Sequence, residues 1–193
     1  MRRTASWSAG ALATIIAVAS AARAAEPMVP AELQANILLR MLGYERSLRA
    51  RAGASVGIAI VFNPSDKTSV RAEEGMVHAF EALQPQTVQG LSFVVVAHPY
   101  KDAVELGEFL EKRGIDALYL TPGLEPDVEV LSSVCHQKKI ASIGASRAAV
   151  EKGLAVAVVA RGDSPRILVN LPVSQSLGMD LDPKLLQLAE VLR

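Results

Sequence analysis

The chain has 193 residues, of which 50% are hydrophobic, 21% charged and only 4% aromatic, the make-up of a globular protein and not of a disordered one. Its 20 basic and 20 acidic residues cancel, so bulk charge draws it to no nucleic acid. A single cysteine, Cys135, excludes an internal disulfide and a cysteine-built metal site; a buried apolar thiol, an intermolecular link and a reactive site stay open for it.

Arg2 and Arg3 precede an uncharged, largely apolar run over residues 9–22, and Ala22-Arg23-Ala24 sets small residues at both cleavage-specifying positions. Together these features read as a secretory signal peptide over residues 1–24. The run falls short of the roughly 20 residues a membrane span needs, which leaves an uncleaved anchor as the lesser alternative. The Arg2-Arg3 pair hints at twin-arginine export, but Thr4-Ala5-Ser6 replaces the hydrophobic positions that usually follow, and ordinary secretion is the reading taken. Without Arg2, Arg3 and Arg23 the chain keeps 17 basic against 20 acidic residues. Residues 25–193 are expected as a soluble, mildly acidic domain in the periplasm of a Gram-negative-type envelope.

Residues 31 to about 51 repeat Leu33, Ile37, Leu38, Met41, Leu42 and Leu48 at helical spacing. Residues 56–62 are a continuous apolar run between Gly53 and Asn63-Pro64, which suits a strand buried on both faces. Ser65 or Asp66 caps a helix reaching about residue 83. A second strand follows over 91–97, a helix over 101–113 ended by Gly114, and a third strand over 115–120. Another helix over 126–139 leads to a short strand over 140–143, closed by Gly144. Alternation of this kind implies a parallel sheet covered by helices. Residues 154–160 and 166–171, joined by the turn-rich 161–165, read as an antiparallel hairpin. A last helix spans 183 to about 192. The expected fold class is α/β: one compact domain, a mainly parallel sheet flanked by helices, a C-terminal antiparallel β-hairpin and a final helix.

The three histidines, His78, His98 and His136, stand on different elements, and no zinc, nucleophile-elbow or phosphate-loop motif occurs. The matched roles of a catalytic site are unfilled, so the chain is expected to be no enzyme, with neither cofactor nor metal. In open parallel sheets ligands bind beyond the carboxyl ends of the strands. Asn63, Ser65, Asp66, His98, Tyr100, Thr121, Gly123 and Ser146 fall there, and free N–H groups at helix starts favour an anion. Capping and turn formation use the same residue types and remain the competing explanation.

From Ala117 onward the chain resembles the YfiR family of periplasmic proteins. The resemblance rests on ALYLTPG, IASIGAS and GLAVAVVARGDSPRILVNLPVSQSLGMDLDPKLLQLAEVL. It places Gly144, Gly153, Arg166, Asn170 and Gly178 at the family's marked positions, with Leu185-Leu186-Gln187-Leu188-Ala189 as its leucine-rich helix. It implies a compact α/β domain that negatively regulates an inner-membrane diguanylate cyclase through its periplasmic sensor, and so touches cyclic di-GMP and biofilm formation. A sensor kinase is an equivalent partner, and members can be homodimers. Two departures stand out. The paired cysteines of well-known members are absent, and Gly43-Tyr44-Glu45-Arg46-Ser47-Leu48 replaces an aromatic, Trp-Pro-like segment. Arg166 takes the family's arginine position, where its planar fork of donors suits a small anionic ligand or partner group; an ordinary turn-edge arginine is the alternative. Asn170 is read as structural, satisfying backbone groups before Pro172. The competing functional reading is a single-lobe periplasmic carrier of a small ligand.

Overall fold

The computed structural model describes residues 28–162 and 164–193. The leader read over residues 1–24 lies outside the described residues, as does Asp163. Helix α1 (Ala31–Gly43) buries Ala35, Leu38, Leu39, Met41 and Leu42, the one-sided apolar stripe of an amphipathic helix. It does not continue to residue 51. The chain turns after Gly43, Glu45 bridges to Leu181, and helix resumes only as the single turn α2 (Leu48–Arg51). The cause is tertiary. Glu45 is fully buried; its carboxylate accepts from the N–H groups of Ser47 and Asp180 at 3.0 and 2.8 Å and pairs with Arg51 at 2.8 Å. Satisfying a buried charge outweighs helix propensity over so few residues.

Strand β1 (Ser55–Phe62) is buried from Val56 to Val61. Asp66 caps α3 (Lys67–Ala82), accepting from the N–H groups of Thr68 and Ser69. Strand β2 (Ser92–Pro99) leads to α4 (Ala103–Arg113), capped by Asp102 and closed at Gly114. After β3 (Ala117–Leu120) comes a 3-10 turn at Glu125–Asp127, so that α5 (Val128–Lys138) begins later than the sequence reading placed it. Strand β4 (Ala141–Gly144) is followed by α6 (Arg147–Glu151), too short to leave a periodic signal. In the hairpin, β5 (Val156–Arg161) and β6 (Ser164–Asn170) pair across a tighter turn than the expected five-residue link. Helix α7 (Leu171–Ser176) follows directly, capped by Asn170.

The final helix is also shorter than its leucines imply. Helix α8 (Pro183–Leu188) ends where Ala189 turns extended, and β7 (Glu190–Leu192) then pairs in parallel with β6. Leu192 therefore packs beside Val150, Ala157, Val159 and Leu168. Three residues carry too little period to tell strand from helix end.

The sheet order is β2-β1-β3-β4-β5-β6-β7. Strands β2 to β5 run parallel in the doubly wound order 2-1-3-4-5. Helices α3 and α4 cover opposite faces, as β2 shows: Phe93 packs edge-on to Phe80 of α3, while His98, five residues later and on the other face, stacks on Phe109 of α4. Helix α1 lies beside α3, and α5 beside α4. The central strands β1, β3 and β4 are sealed between these layers. Strand β2 is at the edge.

Candidate ligand and partner site

The strand order reverses between β1 and β3, so the crevice beyond their carboxyl ends is where this fold accepts ligands. Asn63 and Thr121 are brought together there, joined by Ser69, which the sequence reading missed. The Asn63 N–H donates to Ser69 Oγ at 2.8 Å, and the Ser69 and Thr121 hydroxyls share a hydrogen bond at 2.6 Å. Thr121 Oγ1 donates onward to the Val61 carbonyl at 3.2 Å. The Asn63 amide donates to the Gly123 carbonyl at 3.3 Å, and its Oδ1 accepts from the exposed Ser65 N–H at 2.9 Å. These polar atoms largely satisfy one another. Thr121 and Ser69 are buried, and an added Cβ on Gly123 would lie 2.9 Å from Asp66 Oδ2. The crevice is an internally bonded junction.

His98 does not join it. It is the penultimate residue of β2, and its buried ring bonds to Glu105 at 2.9 Å beneath Phe109. Ser146 caps α6, its Oγ accepting from the Ala149 N–H at 3.2 Å. The glycines hold close approaches and turns. A Cβ on Gly144 would meet Leu154 at 2.8 Å; one on Gly153 would meet Ser132 Oγ at 2.9 Å, and Gly153 has φ +113, a region L-residues avoid. Gly178, with φ +80, follows α7. Asn170 Oδ1 accepts from the Val173 N–H, and its amide donates to the Val150 carbonyl, both at 3.2 Å.

A second feature lies at the other end of the same carboxyl edge. Arg166 of β6 stands opposite Val159 of β5 and is exposed. It borders a cleft of about 260 Å³ lined by Arg147, Val159, Ala160, Arg161, Arg166 and Glu190. Arg147 reaches Glu190 at 2.6 Å, and Arg161 approaches the same carboxylate at 4.0 Å. Among the described lining residues, three guanidinium groups thus face one carboxylate, and Arg166 makes no ion pair with a described residue. The excess of planar, always-charged donors suits a carboxylate or phosphate. Sequence reasoning reached Arg166 alone. Arg147 hid behind the Ser146 cap, and Glu190 read as part of a helix, although one strand pairing turns it inward.

Among the described residues no group of three His, Cys, Asp or Glu side chains could hold a metal. No helix among them is long and apolar enough to cross a membrane.

Three solved structures share the fold. An ABC domain from Streptococcus pneumoniae, in complex with L-Trp, superposes with a TM-score of 0.59 at 17% identity, over 84% of this chain and 60% of that one. A conserved domain protein from Vibrio cholerae gives 0.62 at 16% identity, over 85% and 60%. A ligand-free, open substrate-binding protein with adhesive properties from Clostridium difficile gives 0.53 at 19% identity, over 77% and 58%. The chain therefore spans about 60% of the length of the solved structures it matches. No curated protein matches its sequence. The YfiR/HmsC-like family model matches residues 31–190, nearly every residue of the fold from α1 to the start of β7; the chain belongs to the YfiR/HmsC-like family.

Proposed function

We propose that this protein is a periplasmic regulator that restrains an inner-membrane signalling protein, a diguanylate cyclase or a sensor kinase, by binding its periplasmic sensor. The observation that carries this reading is membership of the YfiR/HmsC-like family across residues 31–190. The leader-like composition of residues 1–24 supports export, and the role requires no turnover. The cleft at Arg147, Arg161 and Arg166 is the recognition point for an anionic group, either an acidic side chain of the partner or a small carboxylate or phosphate ligand. Its volume of about 260 Å³ lies just below the range of ordinary ligand pockets, about 300–1,000 Å³, and fits a single acidic group better than a whole metabolite.

The second reading, a single-lobe binder of a small ligand, draws on the fold shared with a substrate-binding protein. The self-bonded β1/β3 crevice weighs against it, because its polar atoms are already engaged. The deciding experiment is co-purification from envelope extracts with wild-type chain and with Arg166→Ala. Wild type should retain a membrane signalling protein, and the variant should bind it roughly tenfold more weakly, about 1.4 kcal/mol. Recovery of a permease and its ATPase, with no signalling protein, would overturn the regulatory reading.

A further inference from the structure

Among the described residues two buried side-chain nitrogens have no hydrogen-bond partner, Arg51 Nε and Gln34 Nε2. Arg51 Nε belongs to the Glu45 network, where both terminal nitrogens of the same guanidinium are engaged. Gln34 stands apart from that network. It is 2% exposed, on the buried face of α1. The hydroxyl of Tyr119 on β3, itself buried, donates to Gln34 Oε1 at 3.1 Å. That bond sets the orientation of the amide and leaves Nε2 as its free donor. Buried amides are ordinarily satisfied, because an unmet donor taken out of water is costly.

Gln34 and Tyr119 line one cavity of about 340 Å³, bordered by α1 and α3. Met28, Val29 and Pro30 ahead of α1, and Ala72, Gly75 and Met76 of α3, make its wall largely apolar. Glycine weakens a helix interior, yet Gly75 stands in the middle of α3. No clash requires it: a Cβ there would lie 3.4 Å from the Ala31 Cβ, in ordinary contact. Helix stability is given up where it leaves room. An apolar enclosure of roughly 300–1,000 Å³ with a few placed polar groups is the usual anatomy of a small-molecule pocket. We propose that this cavity binds a small, uncharged, mostly apolar molecule through one carbonyl oxygen, which accepts from Gln34 Nε2. A carboxylate fits less well. The one cation among the described lining residues, Arg71, is exposed, and a buried ionised oxygen needs a buried partner charge. An ammonium group would meet only another donor at Nε2. The site shares no residue with the arginine cleft beside Glu190, and the proposal is independent of the regulatory reading above.

NMR titration of the purified full chain with three probes tests it: acetophenone, ethylbenzene, which lacks the oxygen, and benzoate, which carries a charge. Acetophenone and ethylbenzene should shift the amides of α1 and α3 around Gln34 and Gly75 at millimolar concentration, and benzoate should not. Gln34→Met keeps the length of the side chain and removes the amide. It should weaken acetophenone about fivefold relative to ethylbenzene, the worth of one net hydrogen bond. Ala72→Leu puts a larger side chain into the cavity and should exclude both. The proposal is overturned if acetophenone leaves α1 and α3 unshifted, which would give Nε2 to water alone, or if benzoate binds there as tightly. A folded Gln34→Met variant that weakens acetophenone and ethylbenzene equally overturns it too, as does a folded Ala72→Leu variant that binds acetophenone unchanged. Where Gln34→Met does not fold, the benzoate and Ala72→Leu results decide.

Discussion

Cys135 shows how burial alone settles a side chain's chemistry. It sits on α5 with no exposure, and desolvation pushes its thiol up to about 12. The reactive form of cysteine is the thiolate, so a thiol-exchange reagent at pH 8 should leave the native protein unlabelled and react once it is unfolded. Asp116 is moved in the same direction. Burial raises its carboxyl above the ordinary value of 3.8, against the opposing pull of the Gly57 N–H and Arg51. A raised folded-state pKa stabilises below the unfolded value and loses that contribution as pH rises through the folded one. Asp116→Asn can still accept from the Gly57 N–H, now bonded at 2.9 Å. It should flatten the stability profile between about pH 4 and neutrality and cost nothing at pH 7, as thermal melts across that range would show. Gly57 itself has no room to grow: a Cβ would lie 2.5 Å from the Gly114 carbonyl and 3.1 Å from the Ile115 Cα, both backbone. Gly57→Ala should lower stability by roughly 1–3 kcal/mol in denaturant titration, the usual cost of overpacking a close-packed core.

Among the elements, the segment between α1 and α2 is the one that tertiary contacts reshaped most. Glu45 Oε1 accepts from the Ser47 N–H, the Ser47 hydroxyl and the Asp180 N–H, while Oε2 pairs with Arg51. Arg51 in turn donates to the Lys139 carbonyl at 2.7 Å. One carboxylate therefore ties the N-terminal helices to the segment before α8. Glu45→Ala strands two backbone donors and the guanidinium and should cost roughly 3 kcal/mol, the lower end for breaking a buried pair, because Arg51 keeps some access to water. Glu45→Gln retains the Oε1 acceptor and loses only the charge, so its loss should be clearly smaller. Equal losses in chemical denaturation would assign the effect to the charge pair with Arg51 alone. The other elements needed no such rescue. The apolar run of β1, the Asp66 cap of α3 and the stop at Gly114 are local signals that hold in the folded chain.

For the molecule as a whole, the sheet places its two candidate regions at one edge but gives them different states. At β1/β3 the polar groups close on each other; at β5, β6 and β7 the described residues set three arginines around the one carboxylate of Glu190. Arg166 is exposed, so Arg166→Ala should melt within about 0.5 kcal/mol of wild type while partner capture falls. Loss of folding in that variant would make it a structural residue. Arg166→Lys keeps the charge without the planar fork, so the part of capture it restores belongs to charge and the shortfall to bidentate geometry.

Hydrophobic runs, caps and turn residues act over a few neighbours, which is why the strand-helix alternation, the hairpin and the helix boundary at Gly114 could be read directly from the amino acids. Strand order, the end of α8 and the company of Arg166 could not. Each depends on residues far apart in the chain: Glu190 meets Arg147 only because β7 adds beside β6, and Glu45 leaves helix only because Asp180 comes to it. Pairings of that kind cost loop closure and are decided by what the assembled core buries, which no local stretch of sequence contains.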